Sequence, residues 1–316
     1  MLILTVTRAC DLRCSYCPTA KDGWPSLTPQ QAVDAVDLFA QRGGGEIKLF
    51  GGEPLLVPEV CRAAIHAALN HDNVTRIQLS TNGRKLTPEW LHLVRDHPRL
   101  LLAVSMDGRP EDHRRFRRGP ESYDALMALW PELLATPRFV VTMVIPPATA
   151  KHAETNFLHL RGLGVRRFNF LPGYYLPWRE DQLSALTEGF DAIATHIRQS
   201  WSEGERLYVK NLFTRAPTPF FNTGMVVDSD GTIHPSNVGL SGKLDALRDQ
   251  TLAGTLEAPP SPQALAEKAG QINGLLQQTL DPHVWASTQT VDAELTRFCD
   301  GLYPAFLEHR RRRRAG

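Results

Sequence analysis

Cysteine is scarce in this chain, with five residues among 316, and neither sign of charge dominates. So few cysteines argue against a small disulfide-stabilised secreted domain and suit a reducing cytosol. Lysine and arginine number 35 against 34 aspartates and glutamates, so no global field attracts nucleic acid or a membrane surface. No apolar run reaches the roughly 18 residues of a membrane span, and no signal segment opens the chain. We therefore expect a cytoplasmic protein with one large domain, with or without a smaller appendage.

Three of the five cysteines lie close together, directly after an apolar predicted strand. Cys10, Cys14 and Cys17 are spaced C-x₃-C-x₂-C, and no further cysteine follows until Cys61 and no histidine until His66. Three thiolates on one loop hold three corners of a cubic iron–sulfur cluster and leave the fourth iron open, as catalysis requires. The alternatives are a structural zinc site, which takes four protein ligands, and a disulfide framework.

Short apolar runs alternate with amphipathic helical patterns as far as residue 171. The predicted strands are Leu2–Thr7, Glu46–Phe50, Val74–Ser80, Leu100–Ser105, Arg138–Ile145 and Arg166–Leu171. The predicted helices start at the caps Thr28 and Thr87 and cover Pro58–Leu69, Ser122–Leu134 and His152–Leu163. Six strand–helix repeats predict a parallel sheet with right-handed crossovers, and they are too few for a closed eight-stranded barrel.

Small and polar residues mark the ends of four predicted strands. The cysteine loop follows the first, and the other three are followed by Gly51-Gly52-Glu53, Thr81-Asn82-Gly83 and Ser105-Met106-Asp107-Gly108. Each of these runs alone reads as an ordinary turn. Because the carboxyl ends of parallel strands share one rim, the four together predict a ligand site there.

These motifs resemble those of the radical S-adenosylmethionine (SAM) superfamily. The spacing of Cys10, Cys14 and Cys17 is similar to its cluster signature, and Tyr16 matches the aromatic residue that usually precedes the third cysteine. The Gly51-Gly52-Glu53-Pro54 run is similar to the motif for the methionine amino group of SAM. A further stretch is similar to one typical of the peptide- and protein-modifying branch, with Ser105, Asp107, Gly108, His113, Arg117 and Gly119.

The resemblance implies one [4Fe–4S] cluster on the three cysteines, with SAM chelating the open iron. It assigns the other SAM contacts to Tyr16, Gly51, Gly52, Glu53, Asn82, Ser105, Asp107 and Arg117. Glu53 would accept from the SAM ammonium, Ser105 or Asp107 would bind ribose, and Asn82 would reach ribose or carboxylate. Tyr16 would pack on adenine or on the loop. Arg117 would pair with a carboxylate of SAM or substrate, unless it is a plain surface arginine.

The mechanism of the family would follow from these cofactors. A one-electron reductant such as flavodoxin or ferredoxin reduces the cluster, SAM is cleaved, and the resulting 5′-deoxyadenosyl radical abstracts a hydrogen atom from the substrate. The protein supplies placement and a water-poor cavity.

Beyond about Trp178 the strand–helix rhythm stops. Predicted helices over Glu180–Glu203 and Ser261–Leu280 flank a predicted hairpin with its turn at Asp230-Gly231. This layout is similar to the "SPASM" extension of peptide-modifying radical SAM enzymes. The chain end that contains Phe298, Cys299 and His309 is similar to the closing helix of that extension.

The predicted fold class is therefore α/β, a partial (β/α)6 barrel of parallel strands with a smaller C-terminal α+β extension. The predicted divisions are residues 1–178, 179–309 and an Arg-rich tail at 310–316. In the family the hairpin of the extension carries cysteines, whereas Asn222 and Ser236 stand there in this chain. No cysteine lies between Cys61 and Cys299, so we expect the extension to lack auxiliary clusters.

The missing clusters disfavour net two-electron oxidation and favour redox-neutral outcomes such as epimerisation; cross-link formation is another candidate. Cys299 would then be a hydrogen donor, or else a small buried apolar residue. An aromatic cluster would line a substrate mouth or form core; it comprises Phe168, Phe170, Tyr174, Tyr175 and Trp178.

Three functions remain open at this point. The first is a radical SAM enzyme acting on a ribosomal peptide or protein side chain, and the second is one acting on a small metabolite such as a sugar, nucleoside or amino acid. The third is a non-catalytic iron–sulfur or zinc module that contacts RNA through Arg310–Arg314, although we expect that run to be a disordered tail and nucleic acid not to be a partner. Because the first strand starts at residue 2, we expect a leader peptide to dock on the extension, on a separate binding protein, or not at all.

Overall fold

Strands and helices alternate along the first half of the chain. The computed structural model describes residues 1–119, 121–213 and 224–315, with residues 314 and 315 described by their backbone alone. The strands are β1 Leu2–Thr7, β2 Gly45–Gly51, β3 Val74–Thr81, β4 Leu100–Ser105, β5 Phe139–Ile145, β6 Arg167–Pro172, β7 Tyr208–Val209, β8 Met225–Val227, β9 Thr232–His234 and β10 Gly254–Thr255. The helices are α1 Pro29–Gln41, α2 Pro58–Leu69, α3 Pro88–Asp96, α4 Pro110–Arg117, α5 Ser122–Ala128, α6 Trp130–Ala135, α7 Ala153–Gly162, α8 Glu180–Ser202, α9 Asp245–Thr251, α10 Pro262–Thr279 and α11 Pro282–Ala315.

The described residues form two compact units. The first contains residues 1–104, 117–119, 121–139 and 224–280, and the second contains 105–116, 140–213 and 281–315. Parallel strands connected by helices confirm the predicted α/β partial barrel. No helix in the described part of the chain has both the length and the hydropathy of a membrane span.

In the first unit the strand order is β10-β9-β8-β1-β2-β3-β4. β1 is parallel to β2 on one side and to β8 on the other, while β8 and β9 form the predicted antiparallel hairpin. All six residues of β1 are buried, as expected for a strand covered on both faces. The hairpin of the extension therefore continues the sheet beside the strand that leads into the cysteine loop.

Helix α1 shows how local sequence sets the elements of this unit. The Thr28 hydroxyl accepts from the Gln31 N–H at 3.2 Å, and the Gln31 side chain accepts from the Thr28 N–H at 3.0 Å. This reciprocal capping box, followed by Pro29 at the first helical position, confirms the predicted start of the helix.

In the second unit β5, β6 and β7 are parallel. Phe170 packs edge-on against Phe298 of α11 at 5.5 Å between ring centroids, and Phe190 of α8 stacks on Phe298 at 4.8 Å. The predicted aromatic cluster lies in this core, each member at most 4% exposed; its members are Phe168, Phe170, Tyr174, Tyr175 and Trp178.

Two predictions about helices are wrong. The single helix predicted over Ser122–Leu134 is two helices, α5 and α6, because Pro131 lies in the first turn of α6 and has no N–H to continue α5. The disordered tail is helical instead, since α11 continues through the run of arginines. Positive charge suits a helix C-terminus, and Arg312 pairs with Glu308 one turn earlier.

Candidate active site

The cysteine loop connects β1 to α1 and holds Cys10, Cys14 and Cys17, all partly exposed. A turn brings the Cys17 N–H to the Cys14 carbonyl at 3.1 Å. Leu12 anchors the loop in the core at 1% exposure, and it packs so closely on Gly119 that a Cβ there would lie 2.2 Å from its side chain. Gly119 of the predicted motif thus leaves room for the loop.

Cys10 is the partly buried first cysteine of the loop. Burial raises the pKa of its thiol, while the N–H of Leu12 and the charge of Lys21 oppose that rise. The Leu12 N–H lies 3.4 Å from Cys10 Sγ. A metal cation coordinated by this thiol would supply the positive charge that favours loss of its proton.

Gly51 and Gly52 let the end of β2 lie directly against the backbone that enters this loop. The N–H of Gly52 donates to Thr7 O at 2.9 Å and that of Glu53 to Ala9 O at 2.8 Å. A Cβ at Gly51 or Gly52 would lie 2.1 Å from a carbonyl oxygen of this segment, and Gly51 has a φ of +134°. Glycine is therefore required at both positions for the close approach.

Glu53 is fully buried, and its carboxylate bonds to the end of β3. It accepts from the Thr81 hydroxyl at 2.7 Å, the Asn82 N–H at 2.6 Å and the Leu55 N–H at 3.0 Å. Burial raises the pKa of Glu53 to about 7 despite these three donors, which lower it. Through these bonds Glu53 connects the ends of β2 and β3. Its contact with the SAM ammonium stays a prediction.

Asn82 carries this connection on to the cysteine loop. Its amide nitrogen donates to Asp11 Oδ1 at 2.7 Å and lies 4.0 Å from Cys10 Sγ. Arg84 donates to the backbone and carboxylate oxygens of Asp11, each at 3.1 Å. Asp11 and Arg84 were not predicted as site residues. The available signal was a carboxylate between two cysteines and a cation directly after a marked strand end.

Arg117 and Tyr16 come together in the same unit. The Arg117 guanidinium lies 5.7 Å from the centre of the Tyr16 ring, near the outer limit of a cation–π contact. Arg117 is only 5% exposed, so it is not a plain surface arginine.

Ser105 and Asp107 belong to the second unit. Asp107 is 3% exposed, its carboxylate accepts from the Val144 N–H at 3.1 Å, and its own N–H faces the His113 ring at 3.4 Å. A Cβ at Gly108 would meet Asn156 at 2.3 Å. The predicted ribose contacts of Ser105 and Asp107 stay predictions.

A comparison with protein families gives one decisive match. The description "Radical SAM superfamily" matches residues 4–160, which contain the cysteine loop and the four marked strand ends. The chain belongs to the radical SAM superfamily. Members use a [4Fe–4S] cluster and SAM, and these are accordingly the cofactors of this chain.

Two curated relatives are similar to part of this chain. The AdoMet-dependent heme synthase of Methanosarcina barkeri is 34% identical over 127 residues, covering 39% of this chain and 36% of the relative. The mycofactocin maturase MftC of Mycobacterium tuberculosis is 27% identical over 121 residues, covering 38% and 30%. The chain thus spans about a third of the length of these relatives.

A solved radical SAM structure shares the fold over nearly the whole chain. Native anSMEcpe with bound AdoMet and Cp18Cys peptide has a TM-score of 0.71 at 14% identity, covering 96% of this chain and 98% of the other. At this identity the likeness shows the fold alone.

The donor set of this chain fits the radical SAM cluster. Three thiols come from one loop that holds no histidine and no fourth cysteine, and Cys10 is supported by nearby N–H groups. Among the described residues, no three His, Cys, Asp or Glu side chains gather as around a single metal ion.

The remaining predicted positions belong to the extension. Asn222 lies outside the described residues. Ser236 is 2% exposed and its hydroxyl caps the short helical turn Asn237–Leu240. Cys299 is partly buried on α11, where burial, with a smaller effect of Asp300, raises the pKa of its thiol to about 12. The thiol therefore stays protonated at neutral pH, whichever of its two predicted roles it has.

Proposed function

We propose that this radical SAM protein is an enzyme that abstracts hydrogen from a ribosomal peptide or protein side chain, with Cys10, Cys14 and Cys17 as the ligands of its only cluster. The observation that carries the proposal is the cysteine loop, held against Gly51-Gly52 and Asn82 at the ends of β1, β2 and β3. When bound, the cluster supplies the electron that splits SAM into methionine and a 5′-deoxyadenosyl radical.

The residues of the chain prepare this site in three ways. Gly51 and Gly52 let the end of β2 pack against the backbone before Cys10, where a Cβ would clash. Asn82 and Arg84 hold Asp11, and with it the first turn of the loop. Buried side chains next to the loop, such as Glu53 and Asn82, are expected to limit the access of water, which preserves a reactive radical.

Two observations support a peptide substrate. The stretch from Ser105 to Gly119 has the pattern of the peptide-modifying branch, and a mycofactocin maturase is similar to part of this chain. The absence of cysteine between Cys61 and Cys299 supports a redox-neutral outcome such as epimerisation, with Cys299 as a candidate hydrogen donor.

A small metabolite is the second candidate substrate, because the heme synthase is similar to this chain. Neighbouring genes distinguish the two: a short open reading frame with a repeated core supports a peptide, whereas genes of sugar or nucleotide metabolism support a metabolite. In either case we propose a cytoplasmic enzyme reduced by a flavodoxin or ferredoxin.

Iron counting tests the cluster assignment. After anaerobic reconstitution we expect about four irons per chain, one cubic cluster, and a Cys14→Ala variant should lose the brown chromophore. The Cys61→Ala variant is the matched control and should keep it, since Cys61 is buried on α2. A count near eight would contradict the assignment of a single cluster, and an intact chromophore in Cys14→Ala would contradict the ligand assignment.

A further inference from the structure

Arg8 lies two residues before Cys10 and is completely buried. Its Nε donates to Asp228 Oδ1 at 3.1 Å, and its Nη2 donates both to Asp228 Oδ2 and to Gly239 O, the latter at 3.1 Å. The guanidinium also stacks on Trp24 at 3.6 Å from the ring centre. A planar guanidinium held on two edges and one face has a fixed position and orientation.

A second arginine belongs to the same group of charged side chains. Arg248 pairs with Asp230 and lies 3.7 Å from Asp228, and its guanidinium stacks on the same Trp24 ring at 4.8 Å. Two cations thus meet two carboxylates. Burial also lowers the pKa of the adjacent His234 to about 4, so that histidine adds no charge at neutral pH.

The same segment of the extension holds the far end of the cysteine loop through its backbone. The Ala20 N–H donates to Leu240 O at 2.9 Å, and the Gly242 N–H donates to Pro18 O at 3.1 Å. A β-bridge between Thr19 and Ser241 lies between these bonds. The extension therefore contacts this segment both before Cys10 and after Cys17.

A buried ion pair of this kind adds little net stability, because desolvation of the charges offsets their attraction. The ion pair instead fixes the relative positions of the two segments that it joins, since each charged group has few alternative partners. The three cysteines lie on a loop without regular secondary structure, and such a loop needs external contacts to hold three thiols in position.

We propose that Arg8, Asp228, Arg248, Asp230 and Trp24 form a cysteine-free clamp by which the extension positions the cluster loop. In this chain the hairpin orders the cluster site with salt bridges. The inference rests on the proposed function only in that this loop binds the cluster.

The test compares three variants. Asp228→Asn removes one charge of the clamp. Arg8→Met with Asp228→Leu replaces the pair by apolar groups, which commonly preserves or raises stability. Asp112→Asn is the matched control, because Asp112 is a buried carboxylate that accepts from Arg109 and Asn156 within the second unit.

Two readouts separate positioning from overall stability. Hydrogen exchange of residues 9–21 in the apo protein reports loop order without any cofactor, and the rate of iron loss to a chelator, well below the melting temperature, reports cluster retention. We expect Asp228→Asn and the apolar pair to raise loop exchange and to speed iron loss about 10- to 100-fold, the apolar pair doing so at a melting temperature close to that of the wild type. Asp112→Asn should change neither readout.

The proposal is overturned if the apolar pair, folded and stable, shows wild-type loop exchange and iron retention. It is also overturned if Asp112→Asn disturbs the loop as much as Asp228→Asn. A wild-type protein that binds no iron would instead contradict the proposed function, while the exchange measurement would still decide the clamp.

Discussion

Glu53 is the residue with the most unusual ionisation in the described site. Its pKa is raised from 4.5 to about 7 because the carboxyl group is buried, although three hydrogen-bond donors favour the charged form. The group accepts from both the end of β3 and the turn that follows β2. Binding of a proton to this carboxyl group therefore affects the hydrogen bonds that connect the ends of β2 and β3.

This coupling predicts a pH dependence of stability. Since the folded pKa lies above the unfolded one, the folded state binds more protons between them, and the free energy of unfolding falls as pH rises from about 4.5 to about 7. The loss amounts to about 3 kcal/mol and is complete above that range. Urea unfolding of the apo protein at several pH values measures it.

In the Glu53→Gln variant this part of the pH dependence should disappear. Glu59→Gln, at an exposed position of α2, should leave it in place. Equal slopes for Glu53→Gln and wild type would show that the buried carboxyl group does not bind this proton.

At this scale the sequence predicts residue types better than residue contacts. The cysteines, the glycines and Asn82 were all singled out from spacing at strand ends. The bonds of Asn82 to Asp11 and of Glu53 to Thr81 were not predicted, because they join residues 71 and 28 positions apart and depend on how neighbouring strands align.

Among the elements, the passage from β2 into the site depends on the lack of a side chain at Gly52. A Gly52→Ala substitution would place a Cβ 2.1 Å from Ala9 O and 2.3 Å from Arg8 O. Both contacts are with backbone, which cannot move away as a flexible side chain does. We expect a loss of about 1–3 kcal/mol in the free energy of unfolding, as for an overpacked core, together with weaker cluster binding.

Gly162→Ala is the matched control for this substitution. It lies at the end of α7 with nothing within 4 Å of the added Cβ, so it should change stability by no more than about 1 kcal/mol, in the favourable direction. Urea midpoints of the two apo variants measure the difference. Equal midpoints would mean that the backbone at Gly52 adjusts freely.

Elements with strong apolar runs were predicted to the residue, as in β1, β4 and α2. Helix α4 was not predicted, because its residues are mostly charged and show no apolar periodicity. The pairing of β8 with β1 was not predicted either, since local patterns carry no information on which distant strand is a neighbour.

For the whole molecule, the extension has a role that its composition alone does not indicate. Its single cysteine, Cys299, predicts lost auxiliary clusters, whereas the structure shows the hairpin continuing the sheet and holding Arg8 through Asp228. The division into residues 1–178, 179–309 and 310–316 stays a prediction. With the single cluster proposed here, the reaction has no auxiliary cluster to accept an electron.

The three-cysteine loop makes this chain a radical SAM enzyme, and SAM cleavage tests this assignment most directly. Reconstituted protein is incubated anaerobically with SAM and dithionite, and 5′-deoxyadenosine is quantified. We expect its formation by the wild type and the Cys61→Ala variant and none by Cys14→Ala. The absence of 5′-deoxyadenosine from wild-type protein that holds a full complement of iron would contradict the account.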